Sequence, residues 1–311
     1  MRTGLVARSR AMRALLAELR RFADAEANVL VTGETGVGKD LVARALHLSS
    51  QRRNEPFVQV DCPSLPTTLL ESELFGHERG AFTDATTTRP GRFEVAGRGT
   101  LYLDRVNELP LEIQPKILRV VEEKRGERLG GTEAFEVRAR IIASADVSIE
   151  DKVRDGSFRR DLYHRLSVLP LAVPSLRDRG SDILPLARIF LRESAGRLGR
   201  STPVLTKEAA AALQAHPWPG NVRQLRHVLD RAVISVSGDR LDVSELPLEV
   251  FDDANAYFGS AEASRPTLEE VERRYIALVL RQVRGNQTRA AAILGISRKA
   301  LWEKRKRFGL E

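Results

Sequence analysis

Gly33-Glu34-Thr35-Gly36-Val37-Gly38-Lys39-Asp40 follows the apolar run Asn28-Val29-Leu30-Val31-Thr32 and precedes residues 40–48, which have the apolar spacing of a helix. A buried strand passing through a glycine-rich turn into a helix is the setting in which G-x-x-x-x-G-K cradles phosphate. The glycines let backbone N–H groups turn inward toward anionic oxygen. The helix start adds its positive end, and Lys39 reaches the β- and γ-phosphates. Outside that setting the same spacing is a plain glycine turn. Gly33, Glu34, Thr35, Gly36, Val37, Gly38, Lys39 and Asp40 are therefore the candidate nucleotide-binding loop. Asp40 stands where a Ser or Thr hydroxyl commonly ligates magnesium; its carboxylate can serve directly or through water.

Around this loop, strand patterns at 28–32, 56–60, 99–104 and 138–143 alternate with helical ones at 12–23, 40–48 and 111–122. That order predicts an α/β fold, a mainly parallel sheet flanked by helices on both faces. Leu101-Tyr102-Leu103-Asp104 ends a buried strand on an acid. Asp104 is the candidate magnesium ligand; the alternative is a strand-ending aspartate that caps the next helix. Past Pro174 the strand patterns stop, and residues 182–197, 206–215 and 221–235 read as a small helical domain. The domain order is then 1–173 α/β, 174–238 helical, 239–265 linker, and 266–311 helical again.

The last segment carries most of the charge. Residues 265–311 hold 12 Lys+Arg against 5 Asp+Glu, a net of +7 in a chain of +8. Such a footprint suits a polyanion or is simply a solvated basic face. Within it, Thr288 to Leu294 is an alanine-rich helix, Gly295 can end it in the left-handed conformation, and Ser297 can cap the next helix, 298–308. Those are the parts of a helix-turn-helix; the alternative is an ordinary basic helical hairpin. Arg298 and Lys299 sit where a recognition helix reaches base edges, and Lys304 and Lys306 suit phosphates. Ser297, Arg298, Lys299, Lys304 and Lys306 are the candidate DNA-binding set. Val271, Tyr275, Leu278 and Val279 on a helix over 268–283 supply either a pairing face for a dimer or packing within one subunit.

No apolar run approaches the ~18 residues of a membrane span, and residues 1–10 have no apolar core of a signal peptide. The lone Cys62 excludes an internal disulfide framework and cysteine-cluster zinc sites. A cytoplasmic protein without membrane partners is expected.

Glu71-Ser72-Glu73-Leu74-Phe75-Gly76-His77-Glu78-Arg79-Gly80-Ala81-Phe82-Thr83 closely resembles the signature of sigma-54-dependent transcription activators, the bacterial enhancer-binding proteins. The resemblance runs from about Leu5 to Leu310. It implies an AAA+ ATPase with a helical lid and a Fis-type helix-turn-helix, using ATP and Mg2+. It also implies a ring, usually a hexamer, that remodels the sigma-54 RNA polymerase closed complex from an enhancer-type upstream DNA site. Phe158-Arg159-Arg160-Asp161-Leu162-Tyr163-His164-Arg165-Leu166 matches the segment that supplies arginine fingers, implying that Arg159 and Arg165 reach a neighbour's nucleotide. Trp218-Pro219-Gly220-Asn221-Val222-Arg223-Gln224-Leu225 matches the lid segment, implying that Arg223 senses phosphates in its own subunit. Phe82 and Thr83 match the sigma-54 contact; Phe82 otherwise packs back into its domain. Since the similarity starts within ten residues, an N-terminal receiver or ligand-sensing domain is not expected.

The chain departs from the family at catalytic positions. Arg105 stands directly after Asp104 where the family has the glutamate that polarises water, and a guanidinium stays protonated. Asp61 replaces the asparagine that switches this glutamate. Ala145-Asp146 replaces the sensor Thr-Asn, and Asp84 the second glycine of the contact loop. Arg105 is expected to pair with Asp61 or the γ-phosphate, leaving a site that holds nucleotide and hydrolyses it slowly or not at all; Glu108 is the nearby carboxylate that can substitute. Two readings follow: an ATP-driven sigma-54 activator, or a hydrolysis-impaired DNA-binding regulator that uses nucleotide for assembly or sensing, or modulates active relatives.

Overall fold

The computed structural model describes residues 4–82, 85–236, 238–246, 267–282 and 286–309. By its internal contacts the chain divides into two compact units, Met1–Leu246 and Pro247–Glu311.

The first unit is built on five parallel strands: β1 (Val29–Thr32), β2 (Phe57–Asp61), β3 (Thr100–Asp104), β4 (Arg140–Ala145) and β5 (Leu169–Ala172). Their order is β2-β3-β4-β1-β5, so β1 lies inside the sheet and its C-terminal end opens among those of its neighbours. The α/β expectation holds, with helices on both faces. Side chains alternate as strand geometry demands. Leu30, Leu101, Leu103 and Ile141 join one core with Leu70, Leu74, Phe93, Ile117 and Phe158. Val29, Val31, Tyr102 and Ile142 join the other with Met12, Leu15, Leu19, Val42 and Leu46. The second core is closed by α1 (Arg10–Ala23) and α2 (Lys39–Ser49). The first is closed by α3 (Thr67–Phe75), α4 (Gln114–Glu123) and α5 (Arg160–Leu166).

β5 has no counterpart among the strand patterns of the sequence. Its residues, Leu-Pro-Leu-Ala, include a proline that cannot donate to a ladder, and β5 is the edge strand, the place where proline is tolerated.

A helical subdomain follows: α6 (Ile183–Arg197), α7 (Lys207–Ala215) and α8 (Asn221–Ser235). Thr206 caps α7, accepting from the Ala209 amide. The stretch read as linker begins with regular structure: Arg240–Leu241 pairs in parallel with Val204–Leu205, and Val243–Glu245 forms a turn of 3-10 helix. Residues 247–266 lie outside the described residues. Among the described residues no helix is long and apolar enough to cross a membrane.

The second unit contains α9 (Leu268–Gln282), α10 (Gln287–Leu294) and α11 (Arg298–Phe308) around Ile276, Val279, Ala290, Ala291 and Leu301. Val279 is buried in this cluster, whereas Tyr275 is exposed.

One buried cation ties the sheet to α1. Arg140, at the start of β4, donates from Nη1 to Ala23 O at 2.5 Å and from Nη2 to Phe22 O at 2.6 Å, adding donors to carbonyls at the helix end, where Phe22 O also accepts from Ala25 N. Burial lowers the pKa of this guanidinium, but the carbonyls need its donors. Arg140→Met keeps the bulk and removes them; it is expected to lower stability by about 2–4 kcal/mol in urea denaturation.

Candidate nucleotide and nucleic-acid sites

Between β1 and α2 the backbone takes positive φ at Gly33, Gly36 and Gly38. Gly36 has a second reason to be glycine, because a Cβ there would lie 2.4 Å from Gly220 O. The loop is pressed against the helical subdomain. Arg223 N donates to Gly36 O at 3.2 Å, and Asn221 Nδ2 donates to Thr35 O at 3.1 Å and to Glu34 Oε2 at 3.0 Å. Asn221 holds φ 52°, in the left-handed region, while its Oδ1 accepts from Leu176 N at 2.7 Å. These contacts bring Arg223, exposed at the surface, next to the loop.

Two arginines that sequence reading did not single out complete the clamp. Arg177 pairs with Glu34. Arg179, 4% exposed, donates from Nη2 to Val37 O at 2.8 Å. Nothing in the run Leu176-Arg177-Asp178-Arg179 announces this, since both partners are more than a hundred residues away.

Lys39 is buried. Its Nζ donates to Gly33 O at 2.6 Å and to Asp146 Oδ1 at 2.6 Å, with Glu34 O at 3.4 Å. Asp40 is exposed in the first turn of α2.

Parallel register sets Asp61 directly beside Asp104 at the ends of β2 and β3. Asp104 Oδ1 accepts from the Tyr102 hydroxyl at 2.9 Å and the Ser144 hydroxyl at 2.5 Å. This fixes the carboxylate at the C-terminal end of β3. The alternative role as a helix cap receives no hydrogen bond: the turn that follows, Val106–Glu108, has no side-chain cap. Among the described residues no group of three or more His, Cys, Asp or Glu can hold a metal unaided. A single oriented carboxylate suits magnesium that takes its other ligands from phosphate and water.

Arg105 follows in the left-handed conformation, φ 58°, with its N–H donating to Ser144 Oγ at 3.0 Å. Its Nη2 donates to both Asp61 oxygens, at 2.8 and 2.9 Å, and Nε to Oδ1 at 3.2 Å. Glu108 Oε1 lies 3.8 Å from Nη1. Burial opposes the charge on Arg105, but the hydrogen bonds and charge of Asp61, with Glu108 and Asp104 beyond, push its pKa above the ordinary value. The residue directly after Asp104 is thus a cation held between the carboxylates of Asp61 and Glu108. Ala145 is buried.

Arg159 and Arg165 are exposed and engaged within the chain, Arg159 Nη2 with Asp161 Oδ2 at 2.7 Å and Arg165 Nε with Glu122 Oε1 at 2.7 Å. Phe82 sits edge-on to His77, ring centroids 5.0 Å apart, and remains 37% exposed, so it is neither free nor packed away. Thr83 and Asp84 lie outside the described residues. Cys62 is buried, and burial raises its thiol pKa, which leaves it inert.

In the second unit Gly295 ends α10 at φ 66°, and Ser297 Oγ accepts from Ala300 N at 3.1 Å to cap α11. Arg298 and Lys299 are exposed at its start. Lys304 is turned back onto Glu272 at 2.5 Å, whereas Lys306 lies over the Trp302 ring at 5.5 Å from its centroid. Trp302 is 54% exposed beside these cations, a large apolar surface that sequence reading passed over.

Comparison with known proteins covers nearly the whole chain. Residues 5–172 match the sigma-54 interaction domain, 177–262 the AAA+ ATPase lid domain, and 267–308 the Fis family of bacterial regulatory proteins. The nitric oxide reductase transcription regulator NorR1 of Cupriavidus necator is 44% identical over 98% of this chain and 63% of its own length. The regulatory protein AtoC of Escherichia coli is 42% identical over 99% of this chain and 68% of its own. This chain thus spans about two thirds of the length of these relatives. Among solved structures, NtrX from Brucella abortus in complex with ATP superposes with a TM-score of 0.74 at 37% identity, covering 98% of this chain and 69% of that one.

The clamp on the loop is acid-sensitive. The hydrogen bond from Arg177 is the main cause holding the Glu34 carboxyl below its ordinary 4.5, against burial, with Asn221 assisting. Because the folded value is depressed, its stabilisation is fully present above 4.5 and is lost as pH falls through the lowered value. Glu34→Gln is expected to narrow the gap between urea midpoints at neutral pH and well below 4.5, relative to the unsubstituted chain.

Proposed function

The chain belongs to the sigma-54-dependent AAA+ transcription activators with a Fis-type DNA-binding end, and from that premise we propose that it is an ATP-binding regulator that acts on the sigma-54 polymerase from an upstream DNA site. The observation that carries this reading is a strand-loop-helix with buried Lys39 in one unit and a capped helix-turn-helix in the other. In the proposal Gly33 to Asp40 hold the triphosphate. Asp104 and Asp40 hold magnesium, which neutralises phosphate charge when bound. Arg223 faces the phosphates of its own subunit, and Arg159 and Arg165 those of a neighbour in a ring. Arg159 and Arg165 leave Asp161 and Glu122 to do so; exposed pairs of this kind are worth about 0–1 kcal/mol and exchange readily. Phe82 and Thr83 form the contact with sigma-54, supported by the half-exposed ring of Phe82.

Arg298 and Lys299 approach base edges, with Ser297, Lys304 and Lys306 toward the backbone. Lys304 gives up Glu272 on engaging phosphate. Only two tryptophans are present, and Trp218 is fully buried, so acrylamide quenching reports Trp302 alone. Saturating duplex DNA is expected to protect Trp302 from the quencher; unchanged quenching in a bound complex sinks the assignment of this helix.

The bidentate Arg105–Asp61 pair favours one particular reading of the ATPase cycle. With a permanent cation where the family places its base, the chain retains ATP and turns it over slowly, so nucleotide serves assembly or sensing more than work. Loss of such a group costs ~10²- to 10⁴-fold in rate. Steady-state ATPase assays are expected to show Arg105→Glu turning over at least ~10²-fold faster than the unsubstituted chain. Turnover by the latter that equals the variant's rejects the impaired-site reading and leaves the motor reading.

A further inference from the structure

An ammonium carries three N–H donors and no acceptor. In this structure all three donors of Lys39 have acceptors within its own chain: Gly33 O at 2.6 Å, Glu34 O at 3.4 Å and Asp146 Oδ1 at 2.6 Å. Two are neutral carbonyls of the loop itself. The third is a full negative charge from the residue just past β4. The pair is well shielded, with 9% of the Lys39 side chain and 26% of the Asp146 side chain exposed, so it is stronger than a surface ion pair. Asp146 is also fixed from behind, its N–H donating to Asn107 Oδ1 at 3.2 Å. The backbone thus holds the carboxylate at the lysine without requiring the side chain to search for it.

We infer that Asp146 is an internal competitor for the triphosphate: its carboxylate occupies the Lys39 ammonium in the place of a phosphate oxygen and sets the affinity of the loop for nucleotide. This inference rests on the reading of Gly33 to Lys39 as the nucleotide loop. A phosphate that engages Lys39 trades one anionic partner for another, so the contact yields less net affinity than it would against a neutral residue. Asp146, once displaced, stays within reach of its former partner as a like charge facing the incoming phosphates, which adds repulsion. The second carboxylate in the place of an asparagine, Asp61, exerts no such effect, because Arg105 takes both of its oxygens. The affinity of the site is therefore set by Asp146 through Lys39, and Asp146 is a positioning residue, touching the cation and not the reacting atoms.

The test is equilibrium binding of a fluorescent, slowly hydrolysed ATP analogue, mant-ATPγS with magnesium, to the full chain. Asp146→Asn removes the charge, keeps the shape and can still accept from Lys39; Asp146→Ala removes the acceptor as well. Both are expected to bind at least about tenfold tighter than the unsubstituted chain, the size of one charge-assisted hydrogen bond no longer surrendered. Asp61→Asn, at the other carboxylate, is expected to gain less than Asp146→Asn. Lys39→Ala separates the two levels of inference. If the unsubstituted chain binds, Lys39→Ala does not, and both Asp146 variants bind with unchanged or weaker affinity, the competitor role is overturned while the nucleotide loop stands. If Lys39→Ala binds as tightly as the unsubstituted chain, the nucleotide-loop reading itself fails. Circular dichroism of each variant excludes loss of fold as the cause of weaker binding.

Discussion

The buried ammonium of Lys39 is the constraint around which the first unit is arranged. A cation this far from water needs every donor matched. Two acceptors come from the loop that carries it, which can offer its carbonyls only by turning through positive φ at Gly33, Gly36 and Gly38. The third comes from the end of β4, more than a hundred residues away. Satisfying Lys39 thus requires β1 and β4 to be neighbours in parallel register, which they are. The same loop must be held from its outer side, and the helical subdomain does this through Arg177, Arg179, Asn221 and the backbone of Arg223. The cost of one desolvated charge is spread over sheet, loop and helical subdomain, so a change at the loop is felt by all three.

At the next pair of strand ends a carboxylate, Asp61, meets a guanidinium, Arg105. The pair is geometrically complete, a guanidinium fork across one carboxylate. The pairing pushes the arginine pKa up, not down, so the cation of the fork persists. Substituting either member alone removes the fork, so two positions that look independent along the chain form one unit in space. The short turn after Asp104 depends on the same residue: Arg105 holds a left-handed backbone with its N–H on Ser144, whose hydroxyl also orients Asp104.

The second unit is governed by simpler rules. Among the described residues its core is small, five buried side chains with a few partly buried neighbours, and its shape comes from backbone signals: Asn286 and Ser297 as caps and Gly295 as the left-handed stop. The basic side chains on α11 divide by what they touch. Lys304 and Arg307 turn back to Glu272 and Glu269 on α9, while Arg298 and Lys299 remain exposed at the helix start. Trp302 adds an apolar surface among the cations.

The α/β class, the loop from Gly33 to Lys39, Asp104 at a strand end and the stop and cap at Gly295 and Ser297 of the helix-turn-helix were legible in the sequence; the cap at Asn286 was not. Each is a local pattern: side-chain period, glycine at a forced turn, a capping hydroxyl, an acid after an apolar run. The replacement of a glutamate by Arg105 was legible too, because it is a matter of residue identity. Its partner was not decided there, since Asp61 and the γ-phosphate were both open. The register Asp61 to Asp104 is a property of two strands forty residues apart and only the folded sheet selects it. β5 escaped notice because its proline and short apolar run make sense only at an edge. Arg177 and Arg179 read as ordinary charges along the chain, and Asp146 as a replaced sensor residue with no partner named. What gives them roles is proximity to Glu34, Val37 and Lys39 across more than a hundred residues. Local chemistry is written residue by residue, whereas the balance of buried charge at Lys39 is settled only when tertiary packing removes water and leaves each donor to find the acceptor the fold has placed beside it.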